Sequence, residues 1–597
     1  LTELVRGKRA IDTNRMEIAS LHVLGKRIAA FFSRVRPARV IALWRVLRPM
    51  EKIIFLACFG IACVGIVWLG IHAYETNTTI IPARGGVFSE GLVQQPQSIN
   101  PVITNGNETD ALLEALIFSG LLKPDGQGGV MPDLAQSFEM KNDGTVYVAT
   151  LRDNIVWHDN QPLTAQDILF TIDMMKSPAL QHPLANFWNS ITVQALSDKT
   201  IAFTLAKPYV FFPQYLTFKI IPKHVWENVP VNQFLLSELN SKPIGSGPYQ
   251  FKKLTLDSTN ATKQYTLVRF PRYYGSGPYI DTIAIKFYPD TAAAENALRK
   301  KEIASFANIP WDDIRAIEQT QRIITLQKPV VPTTIALFMN MNADILKDVL
   351  FRKALAYAID NNAIVQDVFH SYAVPLDAPA LVASSTQYIF NPTQSQIFLN
   401  ALGWKDTNNN GIRDKKMSSR AKTPTELDIS LIYLDAPDMQ AIAGHIVKNL
   451  HDIGVNVALT ALQKNEFMNR IDNKSFELIL ASETTLTGSV PDIYPFWHSS
   501  QQAILGLNIS QYTNKEIDRI VTDIRKANDP ERINILLDGF ANRIRADVPA
   551  AFLVRPQWTW AIENYIHMPD ILFINTPAQR FARANEWYIY TKRIWNN

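Results

Sequence analysis

Residues 427–459 read LDISLIYLDAPDMQAIAGHIVKNLHDIGVNVAL. Apolar residues alternate from Leu427 to Leu434, the period of a strand with one buried face. From Asp438 the period lengthens. Met439, Ile442, Ile446 and Leu450 fall on one stripe of a helix that Asp438 is placed to cap and Gly454 to end. Val455–Leu459 then resumes the strand pattern. A strand, a helix and a second strand in so short a run predict a crossover between parallel strands, so this part of the chain is read as an α/β lobe.

The spacing also predicts a helix over Lys347–Ile359 with Leu350, Ala354, Tyr357 and Ala358 along one side. The stretch 144–158 alternates through Val146, Val148 and Thr150, turns at Asp153-Asn154 and resumes at Ile155, which reads as a hairpin. Thr164 and Asp167 form a capping-box pair ahead of a helix that carries Ile168, Leu169, Ile172 and Met175 on one face. No 20–50-residue repeat and no low-complexity tract occurs. A chain of 597 residues exceeds what one hydrophobic core covers, and 30 Phe, 19 Tyr and 12 Trp supply apolar area for two or more lobes.

The formal charge of +4 averages two unlike segments. Residues 1–52 hold twelve basic and four acidic side chains, a local +8, which leaves −4 for the other 545. Ile53–Ala73, IIFLACFGIACVGIVWLGIHA, follows the basic arm with no Asp, Glu, Lys or Arg. At about 1.5 Å per residue it spans roughly one bilayer core. The positive-inside bias puts residues 1–52 in the cytoplasm and the main body outside the plasma (inner) membrane. A cleaved signal is the alternative, but the apolar run continues through to Ala73 without the expected small-residue site, so an uncleaved anchor is favoured. Residues 74–84 read as a linker. Both cysteines, Cys58 and Cys63, lie in the apolar span, so the body uses neither disulfides nor thiolates.

Motifs of chemistry are sparse. There is no HExxH pair, Walker A loop or G-x-S-x-G elbow, and Gly245-x-Gly247 ahead of Pro248 is too short for a nucleotide fingerprint. No cofactor is expected. In Lys405–Asp414, Asp406, Asn408, Asn410 and Asp414 occupy positions of a calcium loop with Gly411 at its turn, but Met417 stands where the bidentate acid belongs. A solvated Asx-rich turn is the better reading, with calcium the weaker one. Trp497, in the cluster Tyr494–His498, either lines a ligand pocket or packs the lobe, and packing is favoured.

Several runs carry a resemblance. Leu134–Glu139 (LAQSFE), Asn142–Tyr147 (NDGTVY), Leu151–Asp159 (LRDNIVWHD) and Pro162–Asp167 (PLTAQD) are similar to the signature of the family 5 extracellular solute-binding proteins, the peptide- and nickel-type receptors of ABC importers. Further matches follow in family order. They are Ile244–Tyr249 (IGSGPY), Arg272–Tyr274 with Tyr279–Asp281, Phe338–Asn340 with Phe351–Asp360, Leu402–Trp404, and Asn508 through Tyr512 to Asp518. The resemblance covers about residues 85–560.

It implies an α/β, two-lobed periplasmic-binding-protein-like fold of the peptide-binding type. The first lobe would take 85–121, 243–330 and 553–597, with an inserted subdomain at 122–242 and the second lobe at 331–552. By position, the resemblance places Asn105, Gly106 and Asn107 at the cleft, with Ser482, Glu483, Thr484 and Thr485 beyond a strand at Phe476–Ala481, and Asn508. The plain reading of each Asn is a turn residue. Peptide-binding members usually set an aspartate shortly before an Asp-Pro or related turn, where it meets the ligand's α-ammonium. Here 484–492 read TTLTGSVPD, with no acid between Glu483 and Asp492. Either Glu483 substitutes, Asp492 reaches in, or the ligand has no free amine there.

The expected function is therefore a membrane-tethered, non-catalytic, monomeric receptor that hands a peptide or similar small solute to ABC permease subunits. The body's −4 gives no electrostatic case for nucleic acid. The alternatives are an anchored hydrolase using cleft carboxylates and a peptide sensor without transport.

Overall fold

The computed structural model describes residues 48–596 except 105, 320–323, 380–381, 383–389, 418–422, 486–489 and 528, together with Trp44 and Val46. Almost all of the basic arm 1–52 thus lies outside the described residues. The chain divides into two compact units, residues 1–81 with 591–597 and residues 82–590.

In the first unit, helix Pro49–Thr76 has no buried residue and is long and apolar enough to cross a membrane. It contains the whole expected span 53–73. Asn77 closes it, its backbone and side-chain N–H groups both reaching the Ala73 carbonyl at 3.1 and 2.8 Å. The expected linker 74–84 takes a different form. The helix runs on to Thr76, and Thr78–Ala83 is a strand paired with the C-terminal strand Tyr590–Trp595. Trp595 meets Tyr74 edge to face, and Arg593 donates to Thr78 Oγ1 at 2.9 Å.

The second unit is built on two large sheets. One has seven strands in the order Ile324–Gln327, Trp560–Glu563, Ser305–Ala307, Val87–Leu92, Thr282–Phe287, Thr262–Arg269 and Tyr249–Leu256. Val87–Leu92 is parallel to both of its neighbours. Trp560, Trp587, Phe581 and Phe88 pack edge to face and tilted in the core below it. A four-stranded sheet of Ala135–Lys141, Val146–Leu151, Thr200–Leu205 and Ile191–Ser197 continues the same apolar core.

The other large sheet has six strands in the order Ala373–Pro375, Ala550–Pro556, Thr333–Met339, Leu478–Thr484, Asp428–Leu434 and Asn456–Leu462. Its two faces bury separate cores, one on Leu337, Leu431 and Leu480, the other on Phe338, Ile479 and Trp497. Asp428–Leu434 and Asn456–Leu462 are parallel across helix Pro437–His451, as the opening stretch predicts. The chain passes between the two sheets at 328–332 and at 557–559, so two strand-to-strand crossings join them.

Local chemistry explains several details. Thr164 and Asp167 form the expected capping box, and Ile168, Ile172 and Met175 are buried. At Ile244–Tyr249 the backbone of Gly247 donates to the Ile117 carbonyl at 2.7 Å, where a Cβ on Gly245 or Gly247 would overlap that carbonyl. His158 sits over the same loop. Its Nδ1 accepts from the Gly245 N–H at 3.2 Å and its Nε2 donates to the Gly247 carbonyl at 3.1 Å, so the ring is neutral. Burial drops its pKa to about 4.

Other expectations need correcting. Val146–Leu151 pairs with the strand before it, 135–141, and with Thr200–Leu205, while Ile155 and Val156 instead meet Leu163 and Pro162 across a tight turn. Helix Pro437–His451 starts one residue before Asp438, because proline supplies the first-turn φ, and Ala436 takes the cap position. Helix Val349–Ala358 is capped by Asp348, and of the predicted stripe only Ala354 and Ala358 are buried, Leu350 and Tyr357 being part-exposed while Phe351, Arg352 and Leu355 join the buried face. The strand expected at Phe476–Ala481 runs Leu478–Thr484, its end set by pairing with Thr333–Met339.

Candidate functional site

Ligands of open α/β sheets lie at the carboxyl ends of parallel strands. In the second sheet these ends are Leu434, Leu462 and Thr484. The last meets a crossing segment directly: Thr484 and Thr333 pair through their hydroxyls at 3.0 Å, and the Thr485 N–H donates to the Pro332 carbonyl at 3.2 Å. In the first sheet the parallel strands end at Leu92, Phe287 and Ala307, and Asn308 donates to Thr559 on the other crossing at 2.9 Å. One carboxyl end of each sheet therefore borders a crossing, which makes the space between the sheets the candidate cleft. On the first-sheet side a 160 Å³ hollow is lined by Leu92, Val93, Gln94, Glu108, Asn308 and Arg580. Beneath it Arg580 and Glu90, both with fully buried side chains, pair at 2.9 Å.

The segment 209–211 reaches across from the four-stranded sheet. Phe211 is buried in the second sheet's core, and the Val210 N–H donates to the Arg525 carbonyl at 2.9 Å. Tyr209 donates to Asp492 Oδ2 at 2.7 Å, and Arg525 holds both oxygens of the same carboxylate, with Nη2 at 2.7 Å and Nε at 2.9 Å from them. The guanidinium lies over Tyr494 at 3.9 Å and faces Tyr209 at 5.1 Å. Burial would lower the Arg525 pKa, but the hydrogen bond to Asp492 carries it above the ordinary value. Burial, with the Asp492 carboxylate adding to it, holds the Tyr209 phenol well above its usual range.

Glu483 has the opposite environment. Along Leu478–Thr484, residues 479, 481 and 483 face the same core, and small Ala481 leaves space beside the carboxyl. That space is a cavity of 310 Å³ lined by both Glu483 and Trp497. Glu483 is 5% exposed, and the Trp497 indole faces its carboxyl without a well-formed hydrogen bond between them. Burial raises its pKa to about 8, with the nearby Trp497 indole opposing the shift.

The other sequence candidates scatter. Asn107 caps helix Glu108–Ile117, accepting from Thr109 at 2.9 Å and donating to the Gln95 carbonyl at 2.8 Å, so its side chain is engaged within the lobe. Gly106 adopts φ +70° with open space around it, and Asn105 lies outside the described residues. Asn508 is fully buried. It donates to the Tyr512 carbonyl and accepts from the Tyr512 N–H at 2.9 and 3.1 Å, clamping its own loop. Ser482 is exposed beside the cavity, and Thr485 is buried. In the Asx-rich turn, Asp406 accepts from the backbone of Asn410 and Gly411, and Asp414 from Thr407. Among the described residues no group of three His, Cys, Asp or Glu is placed to hold a metal.

Sequence reasoning missed Tyr209 and Arg525. Neither carries a local signal, because each acquires its role only when distant segments meet.

A body of two sheet-centred lobes, crossed twice by its chain and with strand ends facing the crossings, has the architecture of a ligand-capturing binding protein. The chain belongs to the bacterial extracellular solute-binding proteins, family 5, whose sequence profile matches residues 129–503. It is similar to the oligopeptide-binding protein AppA of Bacillus subtilis (strain 168), at 25% identity over 571 residues, 91% of this chain and 98% of that protein. The solved structure of AppA from Bacillus subtilis, in complex with a nonapeptide, matches with a TM-score of 0.66 at 24% identity, covering 85% of this chain and all of that one. NikZ from Campylobacter jejuni, solved with Ni(L-His), matches with a TM-score of 0.67 at 23% identity, covering 84% and 99%.

Proposed function

We propose that this chain is the membrane-tethered receptor of an ABC importer, capturing oligopeptides or a similarly extended solute between its lobes and delivering them to a permease. The observation that carries the reading is that one carboxyl end of each sheet borders a crossing, with Tyr209 and Asp492 joining the lobes. Two crossings form a hinge, and a hinged pair of lobes buries a ligand by closing on it. An extended peptide needs its backbone donors and acceptors satisfied there, which strand-type pairing supplies. The likeness to a protein named oligopeptide-binding supports the peptide over other solutes.

In this reading the lobes follow the boundaries 85–121, 243–330 and 553–597, and 331–552, with 122–242 as the inserted subdomain. Helix Pro49–Thr76 is the anchor, the basic arm is cytoplasmic, and the monomeric body is outside. Asp492 is held by Arg525 and Tyr209, which argues against a hydrolytic carboxylate pair. Calorimetric titration of the full chain in detergent with a random tripeptide-to-nonapeptide mixture tests capture, and absence of heat would oppose it. Protease added outside intact cells should digest the body and spare the arm, and loss of the arm would reverse the topology.

A further inference from the structure

Helix Pro49–Thr76 outlasts its apolar run, so Tyr74, Glu75 and Thr76 form a last turn beyond the length of a bilayer core. Strand Tyr590–Trp595 is fastened to that turn. Asn596 donates from its backbone to the Asn77 carbonyl at 2.8 Å, Trp595 meets the Tyr74 ring at 5.7 Å, and the Arg593 guanidinium lies 5.7 Å from the same ring. Arg593 donates to Thr78 Oγ1 at 2.9 Å, and Thr78 donates on to the Tyr74 carbonyl at 2.6 Å. A cation thus sits where the carbonyls of the helix run out of partners.

Among the described residues the ribbon is bare. Every residue from Thr591 to Asn596 is exposed, with Ile594 at 43% and Trp595 at 64%, and Ile80 on the paired strand is 58% exposed. Side chains alternate along a strand, so Arg593 and Trp595 share one face while Lys592 and Ile594 share the other. Each face therefore offers one cation and one large apolar group. Residues 74–83 and 590–596 hold a single acid, Glu75, against the two cations. Two strands alone are marginal in water, and exposed Trp and Ile gain nothing there. At a bilayer surface the same residues suit their surroundings, because aromatic rings settle at the interface and basic side chains meet lipid phosphates. The apolar helix that runs directly into the ribbon brings that surface to it.

We propose that the ribbon of Thr78–Ala83 and Tyr590–Trp595 is a membrane-surface binding element, in which Trp595, Ile594 and Ile80 enter the interface and Lys592 and Arg593 receive the phosphates of anionic phospholipids. The inference rests on the reading of helix Pro49–Thr76 as a membrane anchor. Arg593 spends one of its N–H groups on Thr78, which leaves the guanidinium fork for a phosphate. Lys592 lies about 10 Å along the strand from Trp595, on the order of one Debye length, so it too feels the lipid charge. Each cation contributes roughly fivefold to the preference for an anionic surface.

The test places the full chain in nanodiscs of phosphatidylcholine, with and without phosphatidylglycerol. Lipids brominated near the head of the acyl chain should quench the tryptophan emission that Trp595→Phe removes. Amide hydrogen exchange across 590–596 should slow at least about fivefold when phosphatidylglycerol is present. Lys592→Gln, on the face away from Thr78 and Tyr74, should reduce that slowing by about fivefold while leaving exchange in phosphatidylcholine unchanged. The anchor is read separately, as elution of the chain with the discs and protection of 53–73 from exchange. An anchored chain whose Trp595 is not quenched, or whose ribbon exchanges equally in both discs, would overturn the surface element and leave the anchor standing. A chain that elutes without the discs would overturn both.

Discussion

The phenolic oxygen of Tyr209 lies 2.7 Å from Asp492 Oδ2, and through this hydrogen bond an element of the four-stranded sheet grips the second lobe. Arg525 orients the carboxylate from the other side, so Asp492 is presented to Tyr209 already paired. The contact joins parts of the chain 283 residues apart.

Tyr209→Phe should weaken closure. A hydrogen bond to a charged acceptor is worth about 1.5–3 kcal/mol, so ligand affinity should fall on the order of 10- to 100-fold. Small-angle scattering of the liganded protein should show a larger radius of gyration than wild type. Unchanged affinity and unchanged dimensions would remove the contact from the closing mechanism.

Glu483 should make the protein less stable in alkali. Its folded pKa of about 8 lies above the ordinary carboxyl value, so between about pH 4.5 and 8 the folded state holds a proton that the unfolded state has released. Stability from this group declines as pH rises through that window, by on the order of 3–5 kcal/mol in total. Thermal melts at pH 5, 7 and 9 should show a steeper loss for wild type than for Glu483→Gln, and parallel curves would contradict the assignment.

His158 works in the other direction. With a folded pKa near 4, it remains neutral in the folded protein while the unfolded chain takes up a proton below about pH 6.5. Stability is lost as pH falls from about 6.5 to 4, by on the order of 3 kcal/mol. A His158→Gln variant should be less stable at pH 7 but should lose less on acidification, as measured by urea unfolding at both pH values.

The Arg580–Glu90 pair lies beneath the first lobe's face of the cleft, with both side chains fully buried. Arg580 is also flanked by the rings of Trp558, Trp560 and Phe581 at 4.8–5.7 Å. Arg580→Met leaves Glu90 charged and unpaired, which should cost about 3–5 kcal/mol in denaturant unfolding. Adding Glu90→Leu should restore much of that loss, whereas no recovery would show that the arginine acts mainly through its ring contacts.

What was legible in the sequence was local. The parallel unit at 428–462 follows from a change of period within 35 residues, and the capping box from Thr164 to Asp167 spans four. Strand ends are less legible: the sequence places 482–484 beyond the strand, but they belong to it because Thr333–Ile335 lie opposite. The candidate site was legible only in part. The resemblance offers Glu483 and Asp492 as alternative partners for an amine, but their difference depends on burial by remote segments. Arg525, 33 residues on, engages Asp492, and the apolar helix face around Phe467 helps to enclose the space beside Glu483. The resemblance places Asn107 and Asn508 at the cleft, and their hydrogen bonds to backbone give each a structural task.

A receptor that captures peptides carries them out of the membrane with it. Full-length protein extracted from its own membranes in detergent, washed, acid-released and analysed by mass spectrometry should yield a heterogeneous set of short peptides. A single non-peptide metabolite or a metal chelate, recovered in stoichiometric amount, would contradict the peptide assignment.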